Sequence, residues 1–303
     1  MSVFLSDRDR ARSQYGVKPV IARTNMRFSC CVRLLSLVLC LSAIGAGIWA
    51  QEQATKEAFQ PQLGQAGKDV IWVPTAQALV EKMLDVAKVT AADYVIDLGS
   101  GDGRMVIAAA LRGARALGIE YNPDLVELSK RNAANAGVDD RATFIKADLF
   151  ESDFSQATVI TMFLLPSINL KLRPKILNLR PGTRIVSNSY GMGAWSADHI
   201  VSADVDCVSF CAAYFWIVPA KVEGRWRLQQ GELTLRQTFQ MISGTLNSGG
   251  TALEIRNGRL EGDQISFTAG DSEYNGRISG NSMAGIVESA GSRSRWSATR
   301  AGA

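Results

Sequence analysis

The stretch VIDLGSGDGRMVI, Val95–Ile107, decides how this chain is read. Its apolar run, broken by one acid at Asp97, has the pattern of a buried strand. Three glycines follow at alternate positions, Gly99, Gly101 and Gly103, and an apolar helical pattern starts at once. A strand that turns into a helix through bare glycines lets a ligand approach the backbone, because no Cβ stands in the way. A dinucleotide turn wants G-x-G-x-x-G, with a pyrophosphate over the helix N-terminus. Here the third glycine comes one residue early, and Asp97 and Asp102 would face a diphosphate with like charge.

Working outward, strand-like and helix-like patterns alternate from residue 70 to residue 220. A helical stretch follows Thr75, with Leu79, Val80, Met83 and Leu84 on one face. Strands are expected at 94–98, 114–120, 142–146, 158–163 and 184–188, and helices at 104–111 and 123–136. Pro123 suits the first turn of the second of these helices and Gly137 its end. Two late strands, near 200–205 and 212–218, have no helix between them and predict an antiparallel hairpin at a sheet edge. Alternation of this kind predicts an α/β domain with a mainly parallel sheet covered on both faces.

After Pro219 no helical period survives. GRWRL, ELTLRQTF, TALEIR, QISFT, YNGRIS and SMAGIV are short alternating runs, punctuated by Asn257-Gly258, Gly262-Asp263 and Gly280-Asn281 at hairpin spacing. Residues 221–303 are expected to form a small all-β domain, an antiparallel barrel or sandwich. Gly224-Arg225-Trp226 is similar to the Gly-x-Trp opening of lipocalin-like barrels.

A ligand that carries an ammonium group suits Asp97 and Asp102 better than a diphosphate does. S-adenosylmethionine has an α-amino group and a sulfonium, and no phosphate. DLGSGDGR resembles the first motif of the Rossmann-like, seven-stranded methyltransferases. On that resemblance Asp97, Gly99, Ser100, Gly101 and Gly103 bind the cofactor's amino-acid end. Glu120, in ALGIEYNP, ends the second strand and takes the ribose hydroxyls. Asp148, in FIKADLF, follows the third and takes the adenine amino group, with Leu149 beside it. A narrower resemblance, over about 70–195, rests on WVPT (Trp72–Thr75), DLGSGDGRMVIAAA, GIEYNP, FLLP (Phe163–Pro166) and PGTRIVS (Pro181–Ser187). These segments look like those of the ATP synthase c-subunit lysine methyltransferases and their bacterial relatives. The resemblance implies N-methylation of a protein lysine, with Thr75 in a segment closing over the cofactor and Trp72, Phe163 and Pro166 along the acceptor channel. It assigns no catalytic base; His199, the single histidine, is expected to be structural.

The formal charge of +4 belongs to the N-terminal 50 residues, which hold seven of the 33 Lys+Arg and two of the 29 Asp+Glu, leaving 26 basic and 27 acidic residues beyond. That balance gives no reason to expect nucleic-acid binding. Leu34–Ala50, LLSLVLCLSAIGAGIWA, is uncharged and preceded by Arg27 and Arg33, which reads as a signal peptide or membrane anchor over 1–50, followed by a polar linker over 51–69. Membrane association and a cell-envelope location are expected, with the mitochondrial inner membrane as the alternative. Three of the five cysteines lie in this leader. Cys207 and Cys211 pair only if their segment turns, and are read as two unpaired apolar residues. With one histidine and no CxxC, no metal site is expected. An NAD(P)-dependent oxidoreductase and a non-catalytic envelope protein that binds through its β domain are the competing functions.

Overall fold

The structure, a computed structural model, describes residues 59–303 apart from Gln230 and Ala303. The leader and the start of the linker lie outside the described residues. Among those described, no helix is long and apolar enough to cross a membrane.

The first domain opens with α1 (Gln77–Val86), followed by β1 (Tyr94–Leu98), α2 (Arg104–Leu111), β2 (Arg115–Glu120), α3 (Pro123–Asn135) and β3 (Ala142–Lys146). Next come β4 (Val159–Met162), α4 (Pro166–Ile176), β5 (Arg184–Asn188), β6 (His199–Ser202) and β7 (Ala212–Ile217). The seven strands form one sheet in the order β3-β2-β1-β4-β5-β7-β6. β1 to β5 run parallel, and β7 enters antiparallel between β5 and β6. The expected helix-free pair is thus a hairpin, with β6 as its edge. Alternation along each strand divides the core. Val95 faces the layer of α1 and α2 with Leu79, Met83 and Val106, whereas Ile96 and Leu98 face α4 with Ile168, Leu172 and Ile176. The chain order reverses at β1, whose neighbours are β2 and β4, so a crevice opens at its carboxyl end.

α4 is a helix that the sequence patterns do not announce. Pro174 lies inside it and removes the amide that would reach Leu170, and Lys171, Arg173 and Lys175 dilute its apolar stripe.

The second domain is a closed barrel of eight strands: β8 (Gly224–Leu228), β9 (Gly231–Thr238), β10 (Met241–Ser248), β11 (Thr251–Glu261), β12 (Gln264–Ala269), β13 (Ser272–Ser279), β14 (Ser282–Ser289) and β15 (Ser292–Arg300). Each pairs antiparallel with the next, and β15 returns to β8. Inward positions such as Trp226, Leu235, Phe267, Met283 and Trp296 fill the interior. Trp226, from the Gly-Arg-Trp opening, is fully buried and donates to the Val222 carbonyl at 2.8 Å, with the Arg300 guanidinium 4.3 Å from its ring centroid. One expectation fails here. Asn257-Gly258 is not a hairpin turn: β11 runs through it as a bulge, with Asn257 at φ +52° and the register slipping on both neighbours.

Cys207 and Cys211 are also corrected. The β6–β7 connection turns, brings their Cα atoms to 5.7 Å, and the two form a disulfide.

Candidate active site

The glycine turn after β1 is held from below by β2: the amides of Gly99 and Ser100 both donate to the Ile119 carbonyl, at 2.9 and 3.1 Å. Gly99, Gly101 and Gly103 all have φ between +54° and +84°, the left-handed region that glycine enters without strain. Gly103 precedes α2, and a Cβ there would strike Phe144 and Ser129 at 2.9 Å. A Cβ on Gly101 would stand 3.0 Å from Trp72 Nε1. The bare turn therefore lets the Trp72 indole lie against it.

Glu120, at the end of β2, accepts from the Gly101 amide through Oε2 (3.0 Å) and from the Asn122 amide through Oε1 (2.9 Å). Each oxygen keeps a lone pair for a further donor. Asp97 is buried and accepts from Thr161 Oγ1 at 2.6 Å. Burial pushes its carboxyl up to about 7 against the Thr161 hydrogen bond, and the nearby Glu120 and Asp102 carboxylates add to the rise. Asp102 is spoken for: Arg104 grips it at 2.6 Å and donates to the Thr75 carbonyl at 2.8 Å. The Thr75 hydroxyl in turn accepts from Asn188 at 3.1 Å, which ties the Trp72–Thr75 segment to β5.

Asp97, Gly99, Ser100, Gly101, Glu120, Asp148, Leu149, Thr75, Trp72 and Phe163 all line one cleft at the carboxyl end of β1. Gly103 and Pro166 do not: Gly103 serves turn and packing, and Pro166 starts α4. His199 stands on β6, its ring stacked on Phe215 at 5.9 Å, away from the cleft lining. Among the described residues no cluster of three or more His, Cys, Asp or Glu is arranged for a metal.

Two features escaped the sequence reading. Residues 64–72, partly assigned to the linker, fold back as a small hairpin in which Gly64 donates to Trp72 and Trp72 to Gln65, and they form one cleft wall. That hairpin brings Lys68 onto Asp148 and 4.7 Å from the Tyr121 ring centroid. The Lys68 hydrogen bond holds the Asp148 carboxyl below the usual range, joined by the Phe150 amide. Asp148 thus already has a cationic partner, and a ligand amine must share it or displace Lys68.

The donor set fits a cationic nucleoside. With Arg104 bound to Asp102 and Lys68 to Asp148, Asp97 and Glu120 are the acids of the turn and its neighbouring strand end that have no basic partner, and Asp69 of the hairpin wall adds a third unpaired acid to the cleft lining. A diphosphate would meet these acids with like charge; a ligand bearing ammonium and hydroxyl groups meets acceptors.

Comparison with known proteins agrees. Residues 97–199 match the ANTKMT methyltransferase domain family. The chain is similar to a protein-lysine N-methyltransferase of Saccharolobus islandicus (strain REY15A), 41% identical over 138 residues, covering 45% of this chain and 86% of that protein. It is 34% identical over 138 residues to the ATP synthase c-subunit lysine N-methyltransferase of Homo sapiens, covering 45% of this chain and 59% of that one. The crystal structure of an RNA methyltransferase from Salinibacter ruber in complex with S-adenosyl-L-homocysteine is 46% identical, covers 50% of this chain and 96% of that chain, and superposes with a TM-score of 0.46. The barrel and the leader fall outside the matched domain family. The chain belongs to the S-adenosylmethionine-dependent methyltransferase family that includes the Saccharolobus islandicus protein-lysine N-methyltransferase.

Proposed function

We propose that this methyltransferase N-methylates a lysine side chain of a protein, with the cleft at β1 as its cofactor site. The observation that carries the proposal is the pairing of Asp97 and Glu120 around a bare, left-handed turn, in a chain that aligns with most of a lysine-methylating relative. S-adenosylmethionine supplies an electrophilic methyl group on a sulfonium. Asp97 faces its cationic amino-acid end, Glu120 its ribose hydroxyls, and Asp148 with the Leu149 backbone its adenine. The chain's remaining work is to align an amine with that methyl group and to strip its water. A lysine must arrive neutral, and desolvation between Trp72 and Phe163 lowers its pKa, so the reaction requires no dedicated base. The location of His199 on the far sheet edge supports that reading.

Membrane association through residues 1–50 and a place in the cell envelope belong to the same proposal. The uncharged run Leu34–Ala50 and the Cys207–Cys211 disulfide support it, since such bonds persist in oxidising compartments.

The deciding experiment incubates the full chain with tritiated S-adenosylmethionine and separate membrane and soluble extracts. Label that survives ribonuclease, is lost to protease and maps to a lysine is the expected result. Label lost to ribonuclease alone, or none in any fraction, overturns the lysine reading. NADPH fluorescence titration is the control for the oxidoreductase alternative.

A further inference from the structure

Three aromatic rings meet beside the cleft, each carried by a different segment. Phe163 follows β4 and lines the cleft, Tyr190 follows β5, and Phe210 sits in the β6–β7 connection. Phe163 lies 5.2 Å from Phe210 and 6.2 Å from Tyr190 between ring centroids, and Tyr190 and Phe210 are 6.2 Å apart. The backbone is strained to bring them together. Ser189 (φ +58°), Asp206 (φ +57°) and Phe210 (φ +57°) all occupy the left-handed region, where a Cβ crowds the following carbonyl oxygen. Strain of this kind persists where the surroundings over-determine it, and it gathers at functional sites.

The surroundings are on hand. Asn169 of α4, fully buried, donates to the carbonyls of Tyr190 (3.1 Å) and Gly191 (3.3 Å). The Ser189 amide donates to the Ala212 carbonyl at 2.7 Å, which joins the β5 exit to the residue after Cys211. The Cys207–Cys211 disulfide closes the short loop that bears Phe210. Yet Phe210 remains 40% exposed, so these rings are not assembled to fill a core. Partly exposed aromatic rings beside a methyl-transfer cleft attract a cation, and a methylated ammonium, which is weakly hydrated, most of all.

We propose that Phe163, Tyr190 and Phe210 form the aromatic entry for the acceptor's ammonium group, in its free and methylated states, and that Phe210 is a specificity-determining residue held in place by the Cys207–Cys211 disulfide. The proposal rests on the lysine reading above and goes further, because it assigns recognition to a loop outside the cofactor cleft and makes it dependent on an oxidised pair.

The test uses the full chain with S-adenosylhomocysteine and three fluorescent peptides, identical except for a central lysine, Nε-trimethyl-lysine or norleucine. Anisotropy should show the two cationic peptides binding at least about fivefold tighter than the norleucine peptide, the scale of a cation–π contact. Phe210→Ala and the double variant Cys207→Ser/Cys211→Ser should each lose about fivefold for the cationic peptides alone. Phe210→Tyr, which keeps a ring, should restore it, and calorimetry should show unchanged cofactor affinity in all three. No peptide binding by the wild type, equal affinity for norleucine, or Phe210→Ala within twofold of wild type overturns the proposal. Ring-dependent peptide binding without methyl transfer supports the aromatic entry while sinking the lysine-methylation reading; methyl transfer that ignores Phe210 does the reverse.

Discussion

Asp97 is the residue whose charge the cleft controls most closely. A carboxyl raised by burial to about 7 stabilises the fold most while protonated; that contribution is complete below about pH 4 and is lost as pH rises through about 7. Cofactor binding has the opposite dependence, because an ammonium favours the ionised carboxylate. Affinity for S-adenosylmethionine should rise between about pH 5.5 and 7.5, and Asp97→Asn should flatten both this rise and the fall in thermal stability. Calorimetry across that range checks it, and an unchanged slope in the variant removes Asp97 from the charge site. Glu120→Ala should weaken cofactor binding by about 1–3 kcal/mol, since it removes a charged acceptor and leaves the Gly101 and Asn122 amides without one. Glu120→Gln should fall between, and wild-type affinity in Glu120→Ala would exclude the residue from the site. Both acids were legible in the sequence because a strand's last residues are placed by topology alone. Lys68 was not: its contact with Asp148 spans 80 positions and depends on a hairpin with no apolar alternation to announce it.

At the scale of elements, the opposite end of the sheet is fastened by one ion pair between a buried aspartate and a half-buried arginine. Asp93, just before β1, accepts from Arg184 at the start of β5 and from Thr158 just before β4. Arg184 also donates to the Ala87 carbonyl at the end of α1. Three strands and a helix thus share one charged knot. Burial would raise the Asp93 carboxyl, but hydrogen bonds from Thr90 and Thr158 and the Arg184 charge outweigh it and hold the group below its usual range. A depressed carboxyl contributes stability above its unfolded pKa and loses it as pH falls through the folded one, so acid should loosen this end below about pH 4. Arg184→Ala strands the Asp93 charge and should cost about 3 kcal/mol in denaturant melts at neutral pH. A loss below about 1 kcal/mol would mean that the pair is a solvated surface contact. The elements themselves were readable where one periodicity held, as in β1 or α3. α4 was hidden by Pro174, and β15, Ser292–Arg300, by the outward Arg293 and Arg295 and by Ser292 and Ser294 on its inner face, which leave only Trp296 and Ala298 to mark it as apolar. Asn257-Gly258 misled because the left-handed backbone of a hairpin turn also serves a bulge.

For the whole molecule, the question is whether the barrel is tethered to the methyltransferase domain or built into it. The change of pattern at Pro219 falls between β7 and β8, but no sequence signal marked the interface. The barrel sets its β9–β10 and β11–β12 turns against the first domain. Gln240, buried in the former, donates to the Ser196 carbonyl at 2.8 Å, and Phe239 stacks on Trp195 at 6.0 Å. Arg259 pairs with Asp198, whose other oxygen accepts from the Ile217 amide at 2.9 Å. Gly262 brings no side chain, and that is its use. At φ +61° its carbonyl accepts from Ala220 at 2.8 Å, and a Cβ there would come within 2.9 Å of the Gly182 backbone. The glycine that reads as a hairpin turn therefore also sits where the Gly182 backbone leaves no room for a side chain. Contacts of this kind join the two cores, so calorimetry of the wild type should show one cooperative transition. Gly262→Val sets a side chain against the Gly182 backbone at the seam and leaves the buried residues of both cores unchanged. It should split the melt in two, with the barrel's far-UV signal lost separately from cofactor-dependent stabilisation of the first domain. If Gly262→Val still unfolds in one transition at the wild-type temperature, the seam carries no coupling and the barrel is an appended module.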